Sequence, residues 1–467
     1  MKKIAIVAVL IIIPILVAFI SFGYLFNPIS DSDPFYVGVT YCGSSVEEAK
    51  QLIDRVKDYT NLFVLQSGKI QYQPEQINEI CEYAVDSGLH FILYFGTVSG
   101  CNVWYDEYDS RWDNYFLGVY LGDEPAGKML EGERSFWDYD TNSSIKKMAD
   151  GRIIKMFDNS TCTYFPDGRI ELSIFDLAES PKLNELDARL VGAFKLFSYF
   201  PNGTVVAQIS ENIGEPLQIV EEYDLPYSYE ELLELRPFQT YDEAAKRFIE
   251  YQESCLKMGL KEVEFNTFTS DYLLYWFDYF AGYDVVLAQF GWNHTLTQDI
   301  ALVRGAANLQ KKDWGAIITW KYNQPPYLDT GEAIYDQMKT AYGSGAKYVI
   351  IFNYAENMTE AHGTLQEEHF VALENFWNEV VENPEIKQGS VKADAVLVLP
   401  ENYGWGMRRP DDKIWGLWEA DEKAEQIWNL KSSLIEKYGL GVDIVYEDPE
   451  FPIEGKYSNI FYWNQTI

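Results

Sequence analysis

From Phe35 onward, short runs of apolar β-forming residues alternate with stretches whose apolar positions recur every three or four residues. The first pattern predicts strands buried on both faces, the second amphipathic helices packed over them. Eight runs predict strands: Phe35–Tyr41, Asn61–Gln66, His90–Gly96, Phe116–Leu121, Glu262–Asn266, Val285–Phe290, Trp314–Trp320 and Tyr348–Tyr354. Helical patterns fall at Ser45–Tyr59, Pro74–Ser87, Tyr241–Met258, Thr295–Leu309, Gly331–Tyr342 and Glu368–Val381. Eight such units predict an α/β protein closed into a (β/α)8 TIM barrel over residues 33–385. An open doubly wound sheet is the alternative, but no G-x-G-x-x-G follows the first strand, so the dinucleotide argument is missing.

One connection is too long to be a plain loop. Residues 126–235, after the fourth strand, contain Tyr164-Phe165-Pro166-Asp167-Gly168 and Tyr199-Phe200-Pro201-Asn202-Gly203, each flanked by alternating β-formers. Pro, Asp or Asn, then Gly is turn chemistry, which predicts hairpins over Lys155–Phe175 and Phe194–Ile209 and hence a β-hairpin insertion after strand 4. Beyond the barrel, Ala393–Leu399, a helix at Glu425–Lys437, Val442–Tyr446 and Asn459–Trp463 predict a small C-terminal α/β appendage over 391–467. It carries no Gly-rich phosphate loop and no nucleophile elbow, so a packing role is expected, with Trp415, Trp418 and Trp428 as anchors.

The N-terminus changes the compartment. Lys2 and Lys3 precede an uncharged stretch, Ile4–Phe26, long enough at about 1.5 Å per residue to cross the ~30 Å core of a bilayer. Residues 1–27 therefore read as a signal anchor, with a cleaved signal peptide as the alternative; both place the rest of the chain outside, at the cell surface. Six N-x-Ser/Thr sequons, at Asn142, Asn159, Asn202, Asn293, Asn357 and Asn464, suit a glycoprotein. Five cysteines with no C-x-x-C allow at most two bridges, and Cys42 with Cys101 is the first pair to test.

Charge narrows the partners. With 37 Lys and Arg against 72 Asp and Glu, the net charge of −35 makes this an acidic protein that repels polyphosphates, so nucleic acid is not expected as a partner. Aromatic residues form 16% of the chain, and flat rigid rings suit the faces of sugars. The four histidines include no H-x-x-x-H or H-E-x-x-H, so neither a metal nor a cofactor is expected, and no G-x-S-x-G occurs. Carboxylate chemistry is the enzymatic option that remains.

In such barrels the site lies at the C-terminal strand ends. The fourth strand runs into Gly122-Asp123-Glu124-Pro125, and the alternation along it points Gly118, Tyr120 and Glu124 toward the barrel axis. A glutamic acid in an aromatic mouth has its charged form disfavoured and can protonate a leaving oxygen; the competing reading is that Asp123 caps the segment after it and Glu124 is a solvated loop residue. This strand end resembles the fourth strand of (β/α)8 glycoside hydrolases and their extracellular relatives, and the barrel-plus-appendage layout is similar to that of some β-galactosidase-like enzymes. The resemblance implies a TIM barrel, carbohydrate as substrate and Glu124 as acid/base. In the retaining families it also implies a nucleophilic carboxylate at the end of the seventh strand, where Ile317-Ile318-Thr319-Trp320-Lys321-Tyr322-Asn323 has none.

A partner carboxylate must then come from elsewhere: Glu356 beyond the eighth strand, Glu264 on the fifth, or Asp271 just after it. A buried ion pair of Glu264 with Lys321 or Arg304 is an equal alternative. Tyr41, Trp104, Trp292, Trp320, Tyr322 and Tyr354 are candidate sugar platforms, with Asn266, Lys321 and Asn353 as polar candidates; each ring alone is more often core or rim, and the set together carries the reading. The reading is a membrane-anchored, extracytoplasmic glycoside-hydrolase-like protein, and the alternative is a non-catalytic carbohydrate-binding or structural module on the same scaffold.

Overall fold

The structure, a computed structural model, describes residues 34–465 apart from 97, 106–111, 113, 131–135, 139–142, 149, 157–159, 176–193, 200–204, 211–227, 235–238, 258–264, 293, 355–361 and 384–385. The Ile4–Phe26 run, Glu264, Glu356 and the sequons at Asn142, Asn159, Asn202, Asn293 and Asn357 therefore lie outside the described residues. Among the described residues no helix is long and apolar enough to cross a membrane.

Strands β1 (Tyr36–Tyr41), β2 (Leu62–Leu65), β3 (His90–Phe95) and β4 (Phe116–Leu121) are followed by seven insertion strands: β5 (Phe136–Asp138), β6 (Ser143–Lys147), β7 (Ile153–Met156), β8 (Ser160–Tyr164), β9 (Ile170–Phe175), β10 (Phe194–Tyr199) and β11 (Val205–Ser210). Then come β12 (Asn266–Asp271), β13 (Val285–Phe290), β14 (Asp313–Ile318) and β15 (Tyr348–Ile351), and finally β16 (Ala395–Leu399), β17 (Val442–Tyr446) and β18 (Asn459–Tyr462). The eight barrel strands close in the order β1-β2-β3-β4-β12-β13-β14-β15, all neighbours parallel, with β15 returning to β1. This is the (β/α)8 TIM barrel, and the fold implied by the resemblance to glycoside hydrolases holds. β5 to β11 form one antiparallel sheet in sequence order, and β17-β16-β18 a parallel three-stranded sheet, so the insertion and the appendage are both present.

The helices follow the strands: α1 (Val46–Val56), α2 (Pro74–Asp86), α3 (Val98–Tyr105), α4 (Pro125–Leu130), α5 (Tyr229–Glu234), α6 (Tyr241–Lys257), α7 (Tyr275–Phe280), α8 (Leu296–Gln310), α9 (Gly331–Gly343), α10 (Glu367–Phe376) and, in the appendage, α11 (Glu422–Tyr438). Caps set several starts: Ser45 and Thr330 accept from backbone N–H groups three residues on, and Asp421 from those of Lys423 and Ala424. The barrel interior is filled by alternating inward residues, among them Leu62, Val64, Ile92, Tyr120, Phe268, Leu287, Ile317, Tyr348 and Ile350, with Tyr36 stacked on Tyr348 at 5.2 Å. Gly118 is required where β4 meets β12: its φ is +145° and a Cβ there would lie 2.1 Å from the Asn266 carbonyl oxygen.

Two expectations are corrected. The fifth barrel strand is Asn266–Asp271 rather than Glu262–Asn266, because its buried hydroxyls find partners: Thr267 Oγ1 donates to Asp284 Oδ2 (3.0 Å) and Ser270 Oγ to Asp123 Oδ1 (3.0 Å). The Cys42–Cys101 bridge, put forward as the first pair to test, is absent; all five cysteines are free thiols, and burial pushes the Cys101 thiol up to about 12. The two cations put forward as alternative partners of Glu264 are engaged with other acids, Arg304 with Asp443 and Lys321 with Asp329.

Burial also lowers the pKa of all four histidines. His369, 1% exposed on α10, accepts the Gln366 N–H on Nδ1 (3.0 Å) and sets Nε2 3.0 Å from the Asp329 carbonyl oxygen, an arrangement that needs the neutral ring. The folded chain thus refuses a proton that the unfolded chain takes up below about pH 6.5, so the His369 contribution is complete above that pH and is lost as the pH falls. The cost of His369→Gln in urea unfolding should be larger at about pH 7.5 than at about pH 5.5. An equal cost at both would contradict it.

Candidate active site

β4 ends in Gly122-Asp123-Glu124, and two of these three residues are left-handed: φ is +69° at Gly122 and +54° at Glu124. A non-glycine residue in that region costs roughly 1 kcal/mol and persists only where its surroundings fix it. Here they do. The Glu124 N–H donates to the Ser270 carbonyl (2.9 Å), and the Lys128 ammonium to the Asp123 carbonyl (2.6 Å). Behind the turn, the buried Asp271 carboxylate accepts the N–H groups of Ala126 (2.7 Å), Gly127 (3.0 Å) and Tyr272 (2.8 Å). Burial raises the Asp271 pKa, to about 7, those N–H groups opposing it and the charge of Glu124 adding to it. Asp271 acts as a brace for the turn and does not line the cavity in front of it.

That cavity, of about 190 Å3, sits at the C-terminal end of the barrel and is lined by Gln66, Tyr120, Asp123, Glu124, Ser270, Gln289, Trp292, Ile317, Thr319, Trp320, Phe352 and Tyr354. One polar network runs across its floor. The Tyr120 hydroxyl donates to Asp123 Oδ1 (2.7 Å) and lies 2.6 Å from Ser270 Oγ; Gln289 Nε2 donates to Ser270 Oγ (3.0 Å) and to Glu124 Oε1 (2.9 Å). The walls are aromatic. Trp320 stacks on Tyr354 (5.9 Å, 4°), its indole N–H bound to the Tyr354 carbonyl, and Trp292 tilts against Trp320 at 5.9 Å. Trp292 has φ +51° and remains 40% exposed at the rim.

The structure thus brings Asp123, Glu124, Trp292, Trp320 and Tyr354 together and leaves other sequence candidates out. Asn266 opens β12, at the end of the strand away from the cavity, its amide donating to the Leu117 carbonyl (3.3 Å). The Tyr41 hydroxyl donates to the Ser45 carbonyl (2.8 Å), serving the start of α1. Lys321 binds Asp329 (2.6 Å), Tyr322 is 42% exposed, and the buried Asn353 accepts from Thr364. At the seventh strand end the cavity is lined by Ile317, Thr319 and Trp320, so no carboxylate stands there. Gln66, Ser270 and Gln289 join the site without a motif to mark them. Of the three, Gln289 is detectable, as the one polar residue in the buried strand Val285–Phe290.

Among the described residues no cluster of His, Cys, Asp and Glu is arranged to hold a metal ion. What the residues define is a (β/α)8 barrel with a carboxylate presented in an aromatic mouth. No family model matches the chain, and no curated protein matches it. Among solved structures, a GH5_18 protein from Streptomyces cattleya in complex with GlcNAc is similar over 93% of this chain and 99% of its own, with 9% identity and a TM-score of 0.46. The spore coat polysaccharide biosynthesis protein spsE from Bacillus subtilis is similar over 78% of this chain and 76% of its own, with 7% identity and a TM-score of 0.33. Neither likeness is high enough to transfer chemistry.

Proposed function

We propose that this chain is an extracytoplasmic glycosidase, anchored by its N-terminal apolar run, whose substrate enters the aromatic mouth of the barrel. The observation that carries the reading is Glu124, turned into the cavity by its left-handed backbone and held there by Gln289. Gln289 Nε2 engages Oε1, and the transferred proton is assigned to Oε2. Trp320, Tyr354 and Trp292 offer faces against which a pyranose packs, and Asp123 fixes the floor through Tyr120 and Ser270. Glu356, two residues past Tyr354 in the sequence, is the partner carboxylate put forward for activating water or attacking the sugar.

A second reading has its own support: with Thr319 at the seventh strand end, a barrel that binds sugar without cleaving it fits equally well. A glycan panel separates the two. Two cavity tryptophans make binding visible, so titration should shift the intrinsic fluorescence, and Trp320→Ala should abolish the shift. Reducing ends released in the same samples favour the enzyme; a shift without release favours the module. Neither signal with any glycan would reject both. For the topology, protease added to intact cells should digest residues beyond about 28, the span predicted to lie outside; complete protection would contradict the anchor.

A further inference from the structure

The cavity is built for hydrogen-bond donors carrying positive charge. Its two carboxylic acids are Asp123 and Glu124, and no Lys, Arg or His is among the described residues that line it. Gln289 is 6% exposed and spends its amide N–H groups on Glu124 and Ser270, which leaves Oε1 buried without a hydrogen-bond partner. Gln66 Oε1, on the β2 side of the same cavity, is also buried and unpartnered. Buried acceptors without donors are costly, so a fitting ligand is one that supplies N–H or O–H groups to them. The walls hold the rings of Trp292, Trp320, Phe352 and Tyr354, and the face of an aromatic ring favours a cation and opposes an anion.

We infer that the preferred ligand is a sugar bearing a free ammonium group, a hexosamine unit, rather than a neutral or an anionic sugar; this rests on the carbohydrate reading above and specifies it. An ammonium has three donors and no acceptor, which matches unpartnered amide oxygens beside carboxylates. A uronate or phosphosugar would bring its negative charge beside Asp123 with no cation among the described lining residues to receive it.

The test compares three matched ligand sets on the full chain purified in detergent, by calorimetry in phosphate buffer: glucosamine oligomers, glucose oligomers of the same length, and glucuronate oligomers. Glucosamine oligomers should bind about tenfold or more tightly than glucose oligomers, the worth of a charge-assisted hydrogen bond, and glucuronate oligomers weakest of all. Raising the pH until the sugar amines lose their protons should erase the preference while leaving glucose binding unchanged. Gln66→Leu, which removes an acceptor with no protein hydrogen bond to lose, should shrink the preference, and thermal unfolding confirms that the variant is folded. Equal affinities for glucosamine and glucose oligomers, or tight glucuronate binding, would overturn the inference and leave the carbohydrate reading standing. No binding by any of the three would overturn both.

Discussion

Glu124→Gln should lower turnover by roughly 10²- to 10⁴-fold, the usual worth of a positioned general acid, while sugar affinity stays close to that of the wild type. The substitution keeps the side chain's length and can still face Gln289 across the 2.9 Å contact, so the floor of the cavity should persist. What is lost is the proton. Aryl glycosides, whose leaving groups need little protonation, should therefore lose much less rate than alkyl glycosides, a split that mere damage to the fold would not produce. Steady-state rates on one aryl and one alkyl substrate decide it: equal losses on both, or no loss on either, would remove Glu124 from the role of acid.

Arg304→Met should destabilise the chain by about 3–5 kcal/mol, because it leaves a buried aspartate without its cation. Arg304 on α8 is 3% exposed and Asp443 on β17 is 1% exposed; Nε donates to Asp443 Oδ1 (2.8 Å), and the guanidinium also reaches the carbonyls of Leu440 (2.7 Å) and Val442 (3.2 Å). The barrel and the appendage touch closely here, since a Cβ on Gly305 would lie 2.8 Å from the Ile444 carbonyl oxygen. Lys431 adds a second buried link, donating to Gln298 on α8 (2.7 Å) while it lies 3.6 Å from the centre of the Trp428 ring; burial pushes its pKa down to about 8. The double variant Arg304→Met with Asp443→Leu should recover much of the loss, as replacing both partners removes the stranded charge. Urea midpoints of the three proteins test this, and a single variant with an unshifted midpoint would show that the pair does not hold the appendage.

The barrel is legible in the sequence because parallel strands buried on both faces leave continuous apolar runs, as in Phe116–Leu121 and Val285–Phe290. The fifth strand is not, because Asn266-Thr267-Phe268-Thr269-Ser270-Asp271 holds one large apolar residue among polar ones and carries the turn formers Asn, Ser and Asp at its ends. Only tertiary partners, such as Asp284 for Thr267 and Asp123 for Ser270, make that polar run a buried strand. Helix α7, Tyr-Trp-Phe-Asp-Tyr-Phe, escapes for a related reason: all its residues but the last are buried, so it shows no 3.6-residue alternation. Glu124 is legible as an acid just past the fourth strand and Gln289 as the one polar residue of its strand, whereas Gln66 and Ser270 are not, because an amide or a hydroxyl has no chemistry of its own to announce. Their place in the site appears only when the strand ends are drawn into a ring, with Gln289 closing on a glutamate 165 positions away.

The position of the glycosidic oxygen in a bound sugar decides whether Glu124 can serve as its acid. A crystal structure of the Glu124→Gln variant with an intact oligosaccharide should show that oxygen within about 3.2 Å of the substituted side chain and a sugar ring against Trp320 and Tyr354. An oligosaccharide seated elsewhere on the molecule, or in this cavity with its linkage turned away from position 124, would contradict it.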